Sequence, residues 1–244
     1  MPEGPSIAIL REEAQRFAGK RIVAVAGNTT IAKERLLDQR IVAIRSWGKH
    51  FLVELKTFSL RIHFLMFGSW RIDERKDGAT PRLSLQFRDG ELNVYTCSVR
   101  FIEEPLDDVY DWSADVLSDA WDAAAARRKL RAMPETLVCD ALLDQNVFSG
   151  VGNIIKNEVL FRIKVNPKTL VGNLPPKKRK ELIDEAVNYS FDFLEWKKEY
   201  TLRKHWLAHT KRTCPRDGSP ILKEYLGKTN RRTFYCPVCQ KLYE

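Results

Sequence analysis

The sequence predicts an α+β protein with an N-terminal antiparallel β-sandwich and a helical C-terminal part. Between residues 21 and 101, short runs that alternate apolar and polar residues recur between turn residues, as in a sandwich or barrel. After Trp121, apolar residues instead recur at helical spacing. Residues 210–244 return to short strands around three cysteines, which predicts a small hairpin module at the end of the chain.

The N-terminal elements can be placed by their periodicity. Residues 6–18 predict a helix with Leu10 and Phe17 on one face and Gly19 as its C-cap. Seven strands are then predicted, at residues 22–26, 40–47, 50–55, 59–64, 69–73, 82–87 and 91–96. Residues 103–121 are acidic and contain Pro105, so we expect them to connect two domains.

The second half is predicted to be mostly helical. Its helices are expected at residues 123–133, 135–144, 153–163 and 175–197. The pair Pro175 and Pro176 suits the start of the last helix. We therefore assign residues 1–118 to the sandwich, 119–209 to a helical domain and 210–244 to the cysteine hairpin.

The charge is concentrated in the second half of the chain. Residues 121–244 hold 24 Lys and Arg against 14 Asp and Glu, whereas residues 1–120 hold 17 against 18. A basic half indicates a polyanionic partner, most often DNA or RNA, and the alternative is a solvated surface that aids solubility. No stretch is apolar enough to span a bilayer, and charges such as Glu3 and Arg11 replace a signal-peptide core. We expect a soluble cytoplasmic protein without a membrane partner.

Three of the five cysteines have the spacing of a metal site. Cys214 is separated by a long segment from the pair Cys236 and Cys239, and Asp217 stands where a zinc ribbon would have its fourth cysteine. An odd number of cysteines grouped in this way fits a reducing compartment and one structural Zn²⁺. Asp217 and His209 are both open as the fourth ligand, and a metal-free hairpin is the alternative.

The first residues indicate a reactive terminus. If Met1 is removed, Pro2 becomes a secondary amine, and an α-amino group with a pKa of about 7.7 to 8.0 is partly neutral near pH 7. A neutral amine can attack an electrophilic carbon and form an iminium, and the neighbouring Glu3 carboxyl can transfer protons. The alternative is a disordered start followed by a helix-initiating proline.

Residues 142–153 predict the end of one helix, a turn with Gly150 and Gly152, and a new helix that begins near Asn153. Free backbone N–H groups at a helix start, approached through glycines, suit a phosphate. The alternative is a tight helix hairpin with glycine caps. In the cysteine module, Arg231 and Arg232 carry guanidinium groups that also suit phosphate.

Taken together, these features make the chain resemble the formamidopyrimidine-DNA glycosylase and endonuclease VIII family of base-excision repair enzymes over essentially its whole length. The features, in order, are Pro2, Glu3, Gly4 and Pro5; Lys49 within Trp47, Gly48, Lys49 and His50; residues 143–153; and the cysteine module. The resemblance implies a bifunctional DNA glycosylase and lyase with a sandwich, a helix-two-turns-helix domain and a zinc finger. It also implies a monomer that acts on damaged double-stranded DNA of the nucleoid.

The resemblance also assigns roles to individual residues. It implies that Pro2 attacks C1′ of the damaged nucleoside and that Glu3 transfers protons at the sugar ring. It implies that Lys49 contacts phosphate and assists catalysis, whereas by itself Lys49 would be interpreted as a solvated lysine at a strand end. It further implies that Asn153 and Arg231 contact the DNA backbone.

The chain departs from the family pattern at three positions. Ser6 replaces an acidic residue of the opening motif, Asp217 replaces a finger cysteine, and Val99 replaces an arginine that fills the void in the 8-oxoguanine branch. We therefore predict that Leu65, Met66 and Phe67, and Met66 above all, form a wedge, that is, apolar side chains that enter the base stack where a base has left. The alternative places these three residues in the core. We also predict that Arg100 contacts DNA.

The substrate class follows from the segment between the last helix and Cys214. This segment is short and charged, which leaves little room for the lesion-capping loop of the 8-oxoguanine branch. We therefore expect oxidised pyrimidines as substrates and β,δ-elimination at the abasic site. The alternatives are a preference for 8-oxoguanine and formamidopyrimidine, and a DNA-binding protein that has lost catalysis.

Overall fold

The structure is a computed structural model that describes residues 2–244. The chain divides into two compact units, one ending at Asp111 and one beginning at Trp112. The domain ranges 1–118, 119–209 and 210–244 stay a prediction. Within the described part of the chain, no helix is long and apolar enough to cross a membrane.

The first unit is an antiparallel sheet with one principal helix. Its elements are α1 (Gly4–Ala14), β1 (Ala24–Ala26), β2 (Ala43–Trp47), β3 (His50–Glu54), β4 (Ser59–Ile72), β5 (Leu83–Phe87), β6 (Gly90–Ile102) and α2 (Leu106–Val109), with 3₁₀ segments at Gln15–Phe17 and Lys33–Leu36. The strands pair antiparallel in the order β1-β5-β6-β4-β3-β2. The predicted α+β class is confirmed, and the strands join in one continuous sheet.

Alternation along the strands builds the core of this unit. Leu60, Ile62 and Phe64 in β4 are buried, while the residues between them are partly exposed. The apolar face of α1 closes the core, and beyond the helix the rings of Phe17 and Phe87 stack at 4.3 Å between centroids. The predicted strands 59–64 and 69–73 belong to the single strand β4, which is interrupted by an irregularity. The predicted helix 6–18 starts earlier, at Gly4.

The second unit contains four helices and one hairpin. Its elements are α3 (Ala123–Arg131), α4 (Val138–Ala141), α5 (Asn153–Arg162), α6 (Pro176–Lys198), β7 (Leu222–Leu226) and β8 (Arg231–Tyr235), with 3₁₀ segments at Trp112–Ala114 and Leu202–His205. An apolar core that includes Phe148, Val159 and Tyr189 holds the helices together.

The predicted helix at residues 135–144 is much shorter than expected. Its first residues pair with an extended segment instead, because Leu137 forms a bridge with Leu170 and the Val138 N–H donates to the Thr169 carbonyl at 2.9 Å. Only Val138–Ala141 is α-helical there. The backbone polar groups are satisfied by this distant partner, so local helix propensity does not decide the conformation.

Candidate functional site

Pro2 and Glu3 immediately precede helix α1. Pro2 is partly buried, and the Glu3 side chain is buried at 1% relative exposure. Glu3 is the N-cap of α1 in extended conformation, and its carbonyl accepts the Ser6 N–H at 2.8 Å. The partial positive charge at a helix start favours a carboxylate. Glu3 is therefore held in a protected environment directly after Pro2 in the chain. Met1 lies outside the described residues.

Lys49 lies in the two-residue turn between β2 and β3. The strands pair up to Trp47 and His50, which leaves Gly48 and Lys49 as the turn. Gly48 has φ of +50°, a conformation that glycine adopts without steric cost and that two-residue hairpins require. Lys49 is partly buried and makes interactions of its own, so it is not a fully solvated lysine at a strand end.

Sequence reasoning did not identify a cluster of rings next to Lys49. The His50 Nδ1 lies 3.1 Å from the Tyr110 hydroxyl, and the His50 ring meets the His63 ring edge to face at 5.3 Å. Trp47 packs against both His50 and Tyr110. The pairing of His50 with His63 across β3 and β4 was available from the strand pattern, but Tyr110 is distant in sequence.

Both histidines are held in the neutral form. Burial, followed by the charges of Arg61, His63 and Lys49, lowers the pKa of His50 to about 3. The pKa of His63 is also lowered, first by burial and then by Lys49 and Arg61. The rings next to the turn are thus uncharged, and Lys49 carries the positive charge of the two-residue turn.

This burial predicts a loss of stability in acid. Between the ordinary pKa of 6.5 and about 3, the unfolded chain protonates His50 while the folded chain does not, so stability present above pH 6.5 is lost as the pH falls. A one-proton difference corresponds to at most about 1.4 kcal/mol per pH unit. Denaturant unfolding between pH 7 and pH 4 should therefore show a steeper loss for wild type than for His50→Gln. Equal slopes would contradict the assignment.

The predicted wedge residues lie in a large bulge of β4. Pairing with β6 stops at Phe64 opposite Cys97 and resumes at Ser69 opposite Tyr95, so residues 65–68 face a single residue of β6. The side chains of Leu65, Met66 and Phe67 are exposed, Phe67 to 81%. The alternative that these three residues form core is wrong. A cluster of three exposed apolar side chains on a strand bulge can enter a base stack.

The neighbouring strand β6 carries residue 99, where the chain departs from the family pattern. The Val99 side chain is buried against the core of the first unit. Arg100, the next residue, is exposed and lies opposite Arg61 of β4. The contact of Arg100 with DNA stays a prediction.

In the second unit, the turn between α4 and α5 is fixed by one side chain. The Gln145 amide donates to the carbonyls of Leu143 and Val151 at 2.8 and 3.1 Å, and its oxygen accepts the Gly150 N–H at 3.1 Å. Gly150 has φ of +100°, which again requires glycine. Asn153 then begins α5 as predicted. Its Nδ2 donates to the Arg232 carbonyl at 2.9 Å, so Asn153 also supports the hairpin.

The four predicted metal ligands lie together. Ligand atoms of Cys214, Asp217, Cys236 and Cys239 all lie within 4.8 Å of one another, a spacing that fits a tetrahedral ion. Ser219 donates its hydroxyl and N–H to Asp217 and thereby lowers the pKa of that carboxyl, so Asp217 is ionised. The cluster can hold a metal ion through three sulfurs and one oxygen.

His209, the rival fourth ligand, is engaged elsewhere. Its Nδ1 lies 3.0 Å from the Asn157 amide, and its ring packs edge to face against Trp206 and Phe234. Burial lowers its pKa to about 4, with a smaller contribution from the charge of Lys156. Among the described residues, the group that can bind a metal contains Asp217 and not His209.

Comparison with known proteins gives matches over most of the chain. The formamidopyrimidine-DNA glycosylase N-terminal domain matches residues 1–103, and the formamidopyrimidine-DNA glycosylase H2TH domain matches residues 113–198. Endonuclease 8-like 2 of Mus musculus is 35% identical over 74% of this chain and 57% of its own length. Endonuclease 8-like 3 of Mus musculus is 31% identical over 81% of this chain and 34% of its own length. The chain thus spans about half or less of these relatives.

Solved structures share the fold. A viral DNA glycosylase superposes with a TM-score of 0.84 at 22% identity and covers 98% of this chain and 100% of its own. Formamidopyrimidine-DNA glycosylase of Lactococcus lactis, bound to DNA containing an AP site, superposes with a TM-score of 0.83 at 23% identity over 98% of this chain and 99% of its own. The two domain matches stand in the order expected for one protein, and the chain therefore belongs to the formamidopyrimidine-DNA glycosylase and endonuclease VIII family.

Proposed function

We propose that the chain is a DNA glycosylase and AP lyase that removes oxidised bases, preferentially pyrimidines, from double-stranded DNA. The observation that carries the proposal is the burial of Glu3 at the start of α1, directly after Pro2 in the chain. A nucleophile with a tethered proton donor is the arrangement that cleavage of a glycosidic bond requires. A protein that only bound DNA would have no use for it.

The reaction can be followed through this chain's own groups. The neutral Pro2 nitrogen attacks C1′ while the bond from C1′ to the base breaks, and the proton that the nitrogen then loses leaves with the base. Glu3 protonates the ring oxygen, the sugar opens and an iminium forms between Pro2 and C1′. The iminium withdraws electrons, so transfer of a C2′ proton to water expels the 3′ phosphate. Transfer of the C4′ proton to water in a second elimination then expels the 5′ phosphate. Water then releases Pro2.

The wedge and Lys49 would act before the chemistry. Flipping a nucleotide costs a few kcal/mol of stacking, and an apolar side chain such as Met66 offsets part of that cost when it fills the vacated space. Lys49, a cation next to neutral rings, would hold a phosphate beside the opened nucleotide. Both roles are proposals that rest on the exposure of Met66 and the position of Lys49 in its turn.

A panel of duplexes tests the function. Oxidised pyrimidine, 8-oxoguanine and plain abasic sites are each incubated with the protein, and base release and strand nicking are measured separately. We expect release of oxidised pyrimidines first, and nicking of the abasic duplex. Faster release of 8-oxoguanine would show a substrate preference like that of the 8-oxoguanine branch of the family. Binding without base release or strand nicking would favour the non-catalytic alternative.

We predict that Arg231→Ala and Asn153→Ala weaken binding to all duplex sequences, because phosphate contacts position DNA without reading bases. For Arg231→Ala the slope of log affinity against log salt should also become shallower, by about 0.9 for each phosphate that the variant no longer neutralises, whereas the uncharged Asn153 leaves the slope unchanged. Titration with labelled duplex at several salt concentrations measures both. Arg88→Ala, which removes an exposed charge from the β5–β6 turn, serves as the control. Affinity unchanged at every salt concentration would show that the substituted residue does not touch phosphate.

We propose that the metal is Zn²⁺, because three thiolates and one carboxylate are donors that zinc accepts at a closed structural site. When bound, zinc would cross-link the segment at Cys214 to the end of the hairpin and take no part in the reaction at Pro2.

The metal prediction is about one zinc per chain, measured by elemental analysis of protein never exposed to chelator. Asp217→Ala should lower the occupancy and speed zinc loss to a chelator, because it removes one of four ligands. His209→Gln, which keeps a polar group near Asn157, should change neither quantity. Zinc far below one equivalent per chain would favour the metal-free hairpin. Loss of zinc in the His209 variant but not in the Asp217 variant would show that His209, and not Asp217, is the fourth ligand.

A further inference from the structure

Helix α5 and strand β8 are joined by a ladder of polar contacts. Three side chains of α5 contact three consecutive residues of β8. The second and third of these side chains follow the first by three and four residues. The contacts are Asn153 Nδ2 to the Arg232 carbonyl at 2.9 Å, Lys156 Nζ to the Thr233 hydroxyl at 2.8 Å, and the Phe234 N–H to Asn157 Oδ1 at 3.2 Å. The spacing places all three side chains on one face of the helix.

The middle contact is unusual because it buries a lysine. Lys156 and Thr233 are each 1% exposed. Taking an ammonium group out of water is costly unless it is well partnered, and an apolar side chain could fill the same space at less cost. Burial of a polar group of this kind is weak evidence for stability, and in some proteins such groups fix a defined geometry instead.

The contact extends to the residue that is proposed to grip DNA. The Thr233 hydroxyl accepts from Lys156 and donates to the Arg231 carbonyl at 3.1 Å. Lys156 is thus connected through one hydroxyl to the backbone of Arg231. The β7–β8 sheet has two strands, and an isolated two-stranded hairpin is marginally stable. The turn of the hairpin is anchored separately, where the Lys228 N–H donates to Asp140 at 2.9 Å.

We propose that Lys156 is a positioning residue that fixes β8 on α5 through Thr233 and so sets where the Arg231 guanidinium meets the DNA phosphate. The inference rests on the proposed phosphate contact of Arg231. It assigns Lys156 no contact with DNA, which distinguishes Lys156 from Arg231.

The test is a pair of double-mutant cycles, in which Lys156→Met or Thr233→Val is combined with Arg231→Ala. Lys156→Met keeps the length of the side chain and removes its charge, and Thr233→Val keeps the shape and removes the hydroxyl. Affinity is measured for a duplex with a tetrahydrofuran abasic analogue, which the protein cannot process. We expect each variant to bind roughly fivefold to tenfold more weakly, with a shallower salt slope. In an Arg231→Ala background, either change should cost less than about twofold further, because the positioned contact is already absent.

A second readout needs no DNA. Hydrogen exchange of the amides at residues 231–235 should be faster in Lys156→Met and Thr233→Val than in wild type, with the strands of the first unit unchanged. Lys223→Met removes the same charge from an exposed position on β7 and should leave both exchange and affinity as in wild type.

The outcomes separate the two proposals. The positioning role of Lys156 would be overturned if Lys156→Met weakened DNA binding by the same factor in the Arg231→Ala background as in wild type. It would also be overturned if the hydrogen-exchange rates of the β8 amides did not change. If Arg231→Ala itself binds like wild type, the phosphate contact of the proposed function fails, and the exchange measurement still decides whether Lys156 holds the strand. If Lys156→Met does not fold, Thr233→Val alone carries both measurements.

Discussion

A protein that retains Met1, or that carries any added residue before Pro2, should lose all covalent trapping by borohydride on DNA with an abasic site. Borohydride reduces the iminium between Pro2 and C1′ to a stable amine, so trapping reports the nucleophile directly. When another residue precedes Pro2, its nitrogen becomes an amide whose lone pair is delocalised into the carbonyl and cannot attack. The loss should be complete, because no partial reactivity remains in an amide.

Two controls separate the amine from other effects of an extension. The blocked protein should bind the same duplex normally, since the basic groups of the second unit are unchanged. A Pro2→Ala variant that mass spectrometry shows to lack Met1 should still trap, because a primary amine also forms a reducible imine. Undiminished trapping by protein that retains Met1 would defeat the Pro2 assignment and point to another amine, either Lys49 or the Met1 α-amine.

Local patterns in the sequence are sufficient where the partners are close along the chain. The starts of α5 at Asn153 and of α6 at Pro176 agree with the prediction almost to the residue, because Gly152 and Pro175 mark these helix starts directly. The metal cluster was also predictable, including Asp217, because knuckle spacing brings ligands together within short segments. His209 competed for the fourth position only because it is also near in sequence.

Distant pairings were not predictable from the sequence. The helix expected at residues 135–144 lacks its first turn because of a bridge between Leu137 and Leu170, which no local pattern indicates. The bulge at residues 65–68 exposes three apolar side chains that alternation alone would equally place in a core strand. In both places a partner far along the chain decides the conformation.

Buried polar residues were the other omission. Lys156 has a charged side chain in a basic half, so composition favours a solvated position, yet it is buried against Thr233. His50 is likewise part of the Lys49 motif, but only the fold brings Tyr110 to its ring. Burial of a charged or titratable group depends on partners from other elements, which spacing along one element does not reveal.

The second large effect is expected for Glu3→Gln, which should slow base removal much more than cleavage at a preformed abasic site. The amide keeps the size of the side chain and its place at the start of α1 but cannot donate a proton to the sugar ring. General acid catalysis contributes about 10² to 10⁴ in rate, and base removal should fall by that order. An abasic site has no base to expel and already exchanges with an open aldehyde, so its trapping should fall far less.

Single-turnover assays on duplexes with one oxidised pyrimidine or one abasic site measure the two steps separately. Ser6→Ala is a suitable control, because it changes a small buried side chain in the first turn of the same helix and keeps the backbone N–H that donates to Glu3. We expect it to retain both activities. Equal losses of base removal and abasic cleavage in Glu3→Gln would show that the carboxyl organises the helix start or binds DNA, and that the proton comes from another group.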